Sequence, residues 1–174
     1  VSKEEIGVVL DKLRDELRCA IRENLIDFNT MTVAGECQTS QAVALHLGIF
    51  NEDEYERAYK RLLDFIREKD YHLDCGMFGL RYIFHVLFEN GDGKTALQMI
   101  TRPDAPSYGN MIELGGTALF EATKQNGVQN SQNHHFYGDI LNLFISKLVG
   151  IKINPNMTDK NEVEISPYLP EGID

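Results

Sequence analysis

Residues 73–100, with the sequence LDCGMFGLRYIFHVLFENGDGKTALQMI, decide the fold class of this 174-residue chain. The glycines near the start of the stretch predict a turn, and the nearly all-apolar run Leu80–Phe88 predicts a helix. The polar segment ENGDG ends that helix, and Lys94–Ile100 forms the next one. A helix that is apolar on most sides must be packed between neighbours. The stretch therefore predicts the inner layer of a two-layer helical array.

Further helices are predicted on both sides of this stretch. Two of them begin with capping boxes, in which Ser2 is followed by Glu5 and Asn51 by Glu54. The apolar residues at helical spacing run from Ile6 to Phe28, from Gln38 to Phe50, from Tyr55 to Ile66 and from His134 to Val149. Residues 30–36 are predicted to form a loop, and residues 101–110 an irregular segment because of their prolines. The chain is therefore expected to be mainly α.

The composition changes after Gly150. Residues 151–174 contain three prolines and the alternating fragment Val163-Glu164-Ile165, which predicts turns and a short strand or two. We therefore expect one mainly α domain over residues 1–150, followed by the start of a C-terminal β segment over residues 151–174.

Charge and cysteine content narrow the range of partners and compartments. The formal net charge of −10 argues against nucleic acid as a partner, and no apolar run is long enough to span a membrane. Cys19, Cys37 and Cys75 are odd in number and widely spaced, which is typical of reduced core thiols. A cytoplasmic location is favoured, while a periplasmic or secreted parent protein stays open.

Two short motifs do not indicate a nucleotide or metal site. Gly93-Lys94-Thr95 lacks the earlier glycine of a phosphate-binding loop, since Phe88 stands in that position. The adjacent pair His134-His135 lacks the regular spacing of metal ligands, and no Cys or His motif accompanies it. We expect neither a metal nor a cofactor.

A single carboxylate and several aromatic residues are the remaining candidates for a functional site. Glu121 follows the apolar run Ala118–Phe120, and it is either a partly desolvated base that activates water or a solvated residue near a helix end. Aromatic residues in the irregular segments either pack onto the helices or stack on a sugar in a cleft. These aromatics are Tyr108, Phe120, Phe136 and Tyr137.

The order of several segments resembles the C-terminal part of bacterial α-L-rhamnosidase catalytic domains. The resemblance runs from about Glu36 to Pro155, and its most specific pieces are two short runs. One is the G-x-T-x-x-x-E run that ends at Glu121, and the other is the S-x-N-H-x-x-x-G run that begins at Ser131. The resemblance implies part of an (α/α)6 barrel, a helical toroid with its substrate cleft at one end of the inner helices.

The resemblance also implies roles for individual residues. Glu121 matches the general base of an inverting hydrolysis, and His134 matches a histidine that contacts the sugar. The family pattern T-T-x-W-E has Phe120 in place of its tryptophan here, and P-S-W-G becomes Pro106-Ser107-Tyr108-Gly109. Phe120 and Tyr108 are therefore expected on the substrate side, with a rhamnose-containing glycoside as substrate and no cofactor.

The chain is shorter than twelve barrel helices require, and nothing before Glu36 matches the family's acidic motif. We expect a fragment that holds the general base without the general acid, so that the isolated chain hydrolyses nothing. Half a barrel should also leave the inner helix Leu80–Phe88 uncovered, which favours self-association. The alternative is a small all-α carbohydrate-binding or scaffold module without catalysis.

Overall fold

The computed structural model describes residues 2–121, 131–152 and 163–169. Its seven α-helices are α1 (Lys3–Leu25), α2 (Gln38–His46), α3 (Glu52–Glu68), α4 (Met77–Glu89), α5 (Gly93–Thr101), α6 (Tyr108–Glu113) and α7 (Asp139–Leu143). A 3-10 turn, His135–Tyr137, precedes α7, and a π-helical turn, Phe144–Leu148, follows it. The four two-residue strands are β1 (Ile26–Asp27), β2 (Thr32–Val33), β3 (Ile151–Lys152) and β4 (Glu164–Ile165). The mainly α class is confirmed.

The inner helices α2 and α4 form the centre of the fold. α2 packs against both α3 and α4, and α4 also contacts α5 and α7. The two helices approach so closely that a Cβ on Gly79 would lie 2.4 Å from Oγ1 of Thr39. Because Thr39 and Gly79 both lie near the starts of their helices, α2 and α4 run side by side with their N-termini at the same end. Loops 26–37 and 69–76 therefore meet at this end.

The core confirms that the apolar stretch forms an inner helix. Leu80, Ile83, Phe84, Val86 and Leu87 of α4 are all buried. The prediction that α4 would be left uncovered is wrong, because α2, α5 and α7 pack around it. Of its apolar residues, Met77 and Phe78 in the first turn are the exposed ones.

Both predicted capping boxes are present. Ser2 and Glu5 cap α1, and Asn51 and Glu54 cap α3. α1 nevertheless differs from the expectation for an amphipathic helix, because none of its side chains is buried. Its apolar stripe, which includes Leu10 and Leu17, is exposed to solvent. α1 is fixed to the rest of the protein mainly by Arg18 and Arg22 near its C-terminal end.

Three local predictions are corrected. The loop 30–36 contains β2, which pairs antiparallel with β1. The irregular segment 101–110 ends earlier than predicted, because the Ser107 hydroxyl accepts a hydrogen bond from the Asn110 N–H and begins α6 directly after the second proline. α4 begins at Met77, inside the predicted turn, with Gly76 as its extended N-cap.

The predicted continuous helix His134–Val149 is also wrong. The Tyr137 carbonyl accepts a hydrogen bond from the Tyr108 hydroxyl at 3.2 Å, instead of from the helical N–H of residue 141. The N–H of Leu141 donates to Gly138 instead, so the 3-10 turn and α7 are separate segments. At the other end, the Val149 N–H donates to the Phe144 carbonyl at 2.8 Å, which is the i→i+5 bond of a π-helix.

The expected strand near Val163 is confirmed as β4. It pairs antiparallel with β3, with Ile165 opposite Ile151. Residues 153–162 and 170–174 of the predicted β segment lie outside the described residues, as do residues 122–127 of the stretch that follows Glu121. The boundary at residue 150 between two domains stays a prediction.

Candidate functional site

Glu121 is carried by a turn that follows α6. Gly115 has a φ of +78°, in the left-handed region that favours glycine, and it ends the helix. The Gly116 N–H donates to the Met111 carbonyl at 2.9 Å, which closes the turn. Gly115 and Gly116 thus form a turn, and residues 117–121 follow it.

The segment 117–121 is hydrogen-bonded to the one that carries His134. The Glu121 N–H donates to the Ser131 carbonyl at 2.8 Å, and the His134 N–H donates to the Leu119 carbonyl at 2.8 Å. The Ser131 N–H in turn donates to Oε2 of Glu121 at 3.1 Å. Two segments that the sequence separates by ten residues are therefore joined, and the Glu121 carboxylate is oriented by a backbone donor. Glu121 itself is exposed.

His134 lies at the centre of a cluster of rings. Its ring centroid is 5.1 Å from that of Phe136 and 5.9 Å from that of Tyr137. Its Nε2 atom is buried and has no hydrogen-bond partner among the described residues. A buried polar atom without a partner is costly. The His134 ring is therefore held in place by packing, and its Nε2 atom remains available for a hydrogen bond.

Tyr137 contacts both His134 and Tyr108. Burial raises the pKa of its hydroxyl, and the nearby Cys75 and Glu121 add to that effect through their charge. The Tyr137 ring also meets the Tyr108 ring edge-on, with centroids 6.3 Å apart.

Tyr108 and Phe120 occupy more enclosed positions than their predicted roles suggest. Tyr108 is only 7% exposed, and its hydroxyl is used by the Tyr137 carbonyl. Burial raises the pKa of that hydroxyl far above its usual value. Phe120 is half-buried and packs against Gly116, where a Cβ would lie 2.9 Å from its ring. The substrate-binding roles of Tyr108 and Phe120 stay predictions.

Two cavities of the described residues are alternatives to the surface at Glu121. One, of about 530 Å³, is lined mostly by apolar residues of α6, the 116–119 turn and α7, including Tyr108 and Thr117. The other, of about 560 Å³, is lined by residues 24–36 and Arg61. Because neither lining includes Glu121 or His134, we assign the candidate site to the surface between them.

His85 and Asp139 form a contact close in the chain to His134, although sequence reasoning did not select them. Nε2 of His85 lies 3.3 Å from Oδ2 of Asp139, which is the first residue of α7. The two residues are 54 positions apart, so no local pattern could have paired them. In the described part of the chain, no group of three His, Cys, Asp or Glu side chains is placed to hold a metal ion. No described helix is long and apolar enough to cross a membrane.

Comparison with known proteins places the fold in a family. Residues 9–148 match a sequence model described as the bacterial alpha-L-rhamnosidase 6 hairpin glycosidase domain. An alpha-L-rhamnosidase from Formosa agariphila is 30% identical over 143 residues, which cover 79% of this chain and 15% of that protein.

Solved structures agree with this match. The alpha-L-rhamnosidase from Dictyoglumus thermophilum has a TM-score of 0.79 and 30% identity, over 87% of this chain and 17% of that one. The Streptomyces avermitilis alpha-L-rhamnosidase complexed with L-rhamnose has a TM-score of 0.83, over 95% of this chain and 17% of that one. At 24% identity, the second likeness supports the fold alone.

The chain thus spans about one sixth of the length of these relatives. The family match begins at residue 9, well before the resemblance seen in the sequence, and it includes most of α1. It covers 140 consecutive residues and contains both Glu121 and His134. The chain belongs to the bacterial alpha-L-rhamnosidase six-hairpin glycosidase family.

Proposed function

We propose that this chain supplies the general-base side of an inverting glycoside hydrolase that removes terminal α-L-rhamnosyl groups. Glu121 takes a proton from the water that attacks the anomeric carbon, and His134 hydrogen-bonds the sugar. Family membership supports the reaction class. The observation that carries the residue roles is the backbone pairing of residues 119–121 with residues 131–134, which joins Glu121 to His134.

The surroundings of Glu121 suit a base that must reach water. The carboxylate is exposed, and the Ser131 N–H fixes one of its two oxygens. The other oxygen can therefore face a water molecule. General-base catalysis requires the carboxylate to lie within hydrogen-bond reach of the proton it removes.

His134 suits the recognition of a hydroxyl group. The packing of Phe136 and Tyr137 around its ring limits its rotation, and its Nε2 has no partner among the described residues. A sugar hydroxyl that reached Nε2 would satisfy an atom that is otherwise left unpaired, and such an interaction favours a ligand that offers the matching group.

Inversion requires a second carboxyl group across the cleft, about 6.5–9.5 Å from the first. In the relatives, which are about six times longer, other parts of the chain are available to supply it. We propose that the general acid of this enzyme likewise lies outside the present 174 residues.

The test is the substitution Glu121→Gln in the longer polypeptide that carries this chain, assayed on an aryl α-L-rhamnoside. We expect kcat to fall by about 100-fold or more, because loss of a general base typically costs 10²–10⁴-fold. NMR of the first product formed should show the β-anomer of rhamnose with the native enzyme. Glu113→Gln is the matched control, since Glu113 is an exposed carboxylate on α6.

Unchanged turnover in Glu121→Gln would remove Glu121 from the mechanism, and an α-anomeric first product would exclude inversion. The 174-residue chain alone should show no turnover in the same assay. If it hydrolyses the substrate, the general acid must lie within these residues.

A further inference from the structure

The turn that carries His134 is anchored to the inner helix α4. His85 of α4 reaches Asp139, which directly follows Gly138 at the end of this turn. Nε2 of His85 and Oδ2 of Asp139 are 3.3 Å apart, and the two side chains are 16% and 32% exposed. The contact is thus largely shielded from water.

We propose that His85 is a positioning residue for His134. Its hydrogen bond to Asp139 fixes the start of α7 against α4, and this sets where the His134 imidazole lies. The inference rests on the proposed function, in which His134 contacts the sugar.

Helix α4, which carries His85, is rigid enough to hold Asp139 in place. His85 stands between the fully buried residues Phe84 and Val86 of α4, so its backbone has little freedom to move. Asp139 begins α7, which is only five residues long and continues into the π-helical turn, and the neighbouring Ile140 is buried. The contact with His85 adds a polar anchor to this apolar packing at the first residue of the helix.

A displacement of Asp139 would also move His134, because the two residues are close in the chain. Only four residues separate the two, and three of them form the 3-10 turn. The Gly138 N–H donates to the His135 carbonyl at 2.8 Å, and a Cβ on Gly138 would lie 2.9 Å from that oxygen. The turn is therefore compact, so that a displacement of Asp139 moves His134 instead of being taken up within the turn.

The rest of the turn is held independently. The His134 N–H donates to the Leu119 carbonyl and fixes the backbone on the Glu121 side. The Tyr108 hydroxyl donates to the Tyr137 carbonyl and holds the last residue of the 3-10 turn. The His85–Asp139 bond supplies a further anchor, at the start of α7.

The experiment compares the His134 side-chain resonances of the native 174-residue chain with those of His85→Leu, His85→Gln and Asp139→Ala. Leucine and glutamine both remove the ring, but only glutamine keeps an N–H donor, so the difference between them reports the hydrogen bond. Asp139→Ala removes the acceptor of the hydrogen bond. Because Asp139 is partly exposed, we expect the core to stay intact. His72→Leu is the matched control, since Nε2 of His72 lies 2.9 Å from Oδ2 of Asp104, outside this turn.

We expect the His134 signals to shift and broaden in His85→Leu and in Asp139→Ala, to return towards native in His85→Gln, and to stay unchanged in His72→Leu. The double variant His85→Leu/Asp139→Ala should add nothing to either single change, because the two residues act as one unit. In the longer polypeptide, His85→Leu should raise KM by about 3- to 10-fold, the effect expected of one lost hydrogen bond.

Native His134 signals in a folded Asp139→Ala chain would overturn the proposal, whether or not His85→Leu folds. This readout needs no substrate, so it is separate from the proposed function. An unchanged turnover in Glu121→Gln would overturn the proposed function. The His134 resonances of the His85 and Asp139 variants would still decide whether the turn is anchored by this bond.

Discussion

Gln41 shows how a single buried polar residue can hold three elements together. Its side chain is fully buried on α2. Oε1 accepts from the Val33 N–H at 3.1 Å, and Nε2 donates to the Met31 and Ala58 carbonyls, each at 2.9 Å. One amide group therefore satisfies backbone atoms of the β1–β2 hairpin and of α3 at once.

The substitution Gln41→Leu should lower the free energy of unfolding by about 2–4 kcal/mol, because it removes a buried amide that bonds the Val33 N–H and the Met31 and Ala58 carbonyls. Urea unfolding followed by circular dichroism measures the change. Gln98→Leu is the control, since Gln98 is exposed on α5, and it should change stability by less than about 0.5 kcal/mol. Equal midpoints for Gln41→Leu and the native chain would contradict this account.

Residues whose partners are close in sequence could be predicted, and residues with distant partners could not. The capping box of Asn51 and Glu54 spans three positions and was visible as a pattern. The partners of Gln41 lie 8, 10 and 17 positions away, and its polar side chain indicates a surface residue when the sequence is considered alone. Glu121 was identified only through its resemblance to a family, since an isolated carboxylate carries no signal of its own.

At the scale of elements, one ion pair is a main attachment of α1 to the rest of the protein. Both guanidinium NH groups of Arg22 donate to the Glu54 carboxylate, at 2.7 and 2.8 Å, and both side chains are less than 20% exposed. The hydrogen bonds from Arg22 lower the pKa of Glu54 from 4.5 to about 2. Because the folded-state pKa is depressed, the stabilisation is present above pH 4.5 and is lost as the pH falls towards 2.

Glu54→Gln should therefore cost about 2–3 kcal/mol of stability at pH 7. The difference from the native chain should shrink when the urea titration is repeated near pH 3. Glu56→Gln is the matched control, because the Glu56–Lys60 pair is exposed and should contribute little. A cost for Glu54→Gln that is the same at both pH values would exclude the ion pair as its cause.

Most helices could be predicted, whereas the short elements near the site could not. Apolar spacing and capping residues identify α1 to α5 because those signals are local. The 3-10 turn depends on the Tyr108 hydroxyl and on packing against α4, and the π-helical turn contacts β3, so both involve contacts that local patterns do not show. The two-residue strands β1 and β2 are too short to show an alternating pattern.

At the scale of the whole molecule, α1 carries a continuous stripe of exposed apolar side chains, whereas α4 exposes only its first turn among its apolar residues. Ile6, Leu10, Leu13 and Leu17 are between 48% and 59% exposed and lie along one stripe of the helix. We propose that the isolated chain self-associates, with this stripe packing against a second copy. The spacing of four, three and four residues is the one that paired helices use.

Light scattering after size-exclusion chromatography should then give a mass above the 19.8 kDa of one chain at micromolar concentration. Leu13→Glu should return the mass to that of a monomer, because it places a charge in the stripe. Cys19→Glu adds the same charge to an exposed α1 position outside the stripe and should leave the mass unchanged. A monomeric native chain at these concentrations would exclude self-association.

The lack of buried side chains on α1 also bears on folding cooperativity. Separation of the helix would expose little of the core, since the helix contacts the rest of the protein mainly near Arg18, Ile21 and Arg22. Its 23 residues exceed the roughly 12–15 that an isolated helix needs for marginal stability in water. The protein therefore contains two units of different stability, a cooperative core built on α2 and α4 and an N-terminal helix that forms and melts by its own local equilibrium.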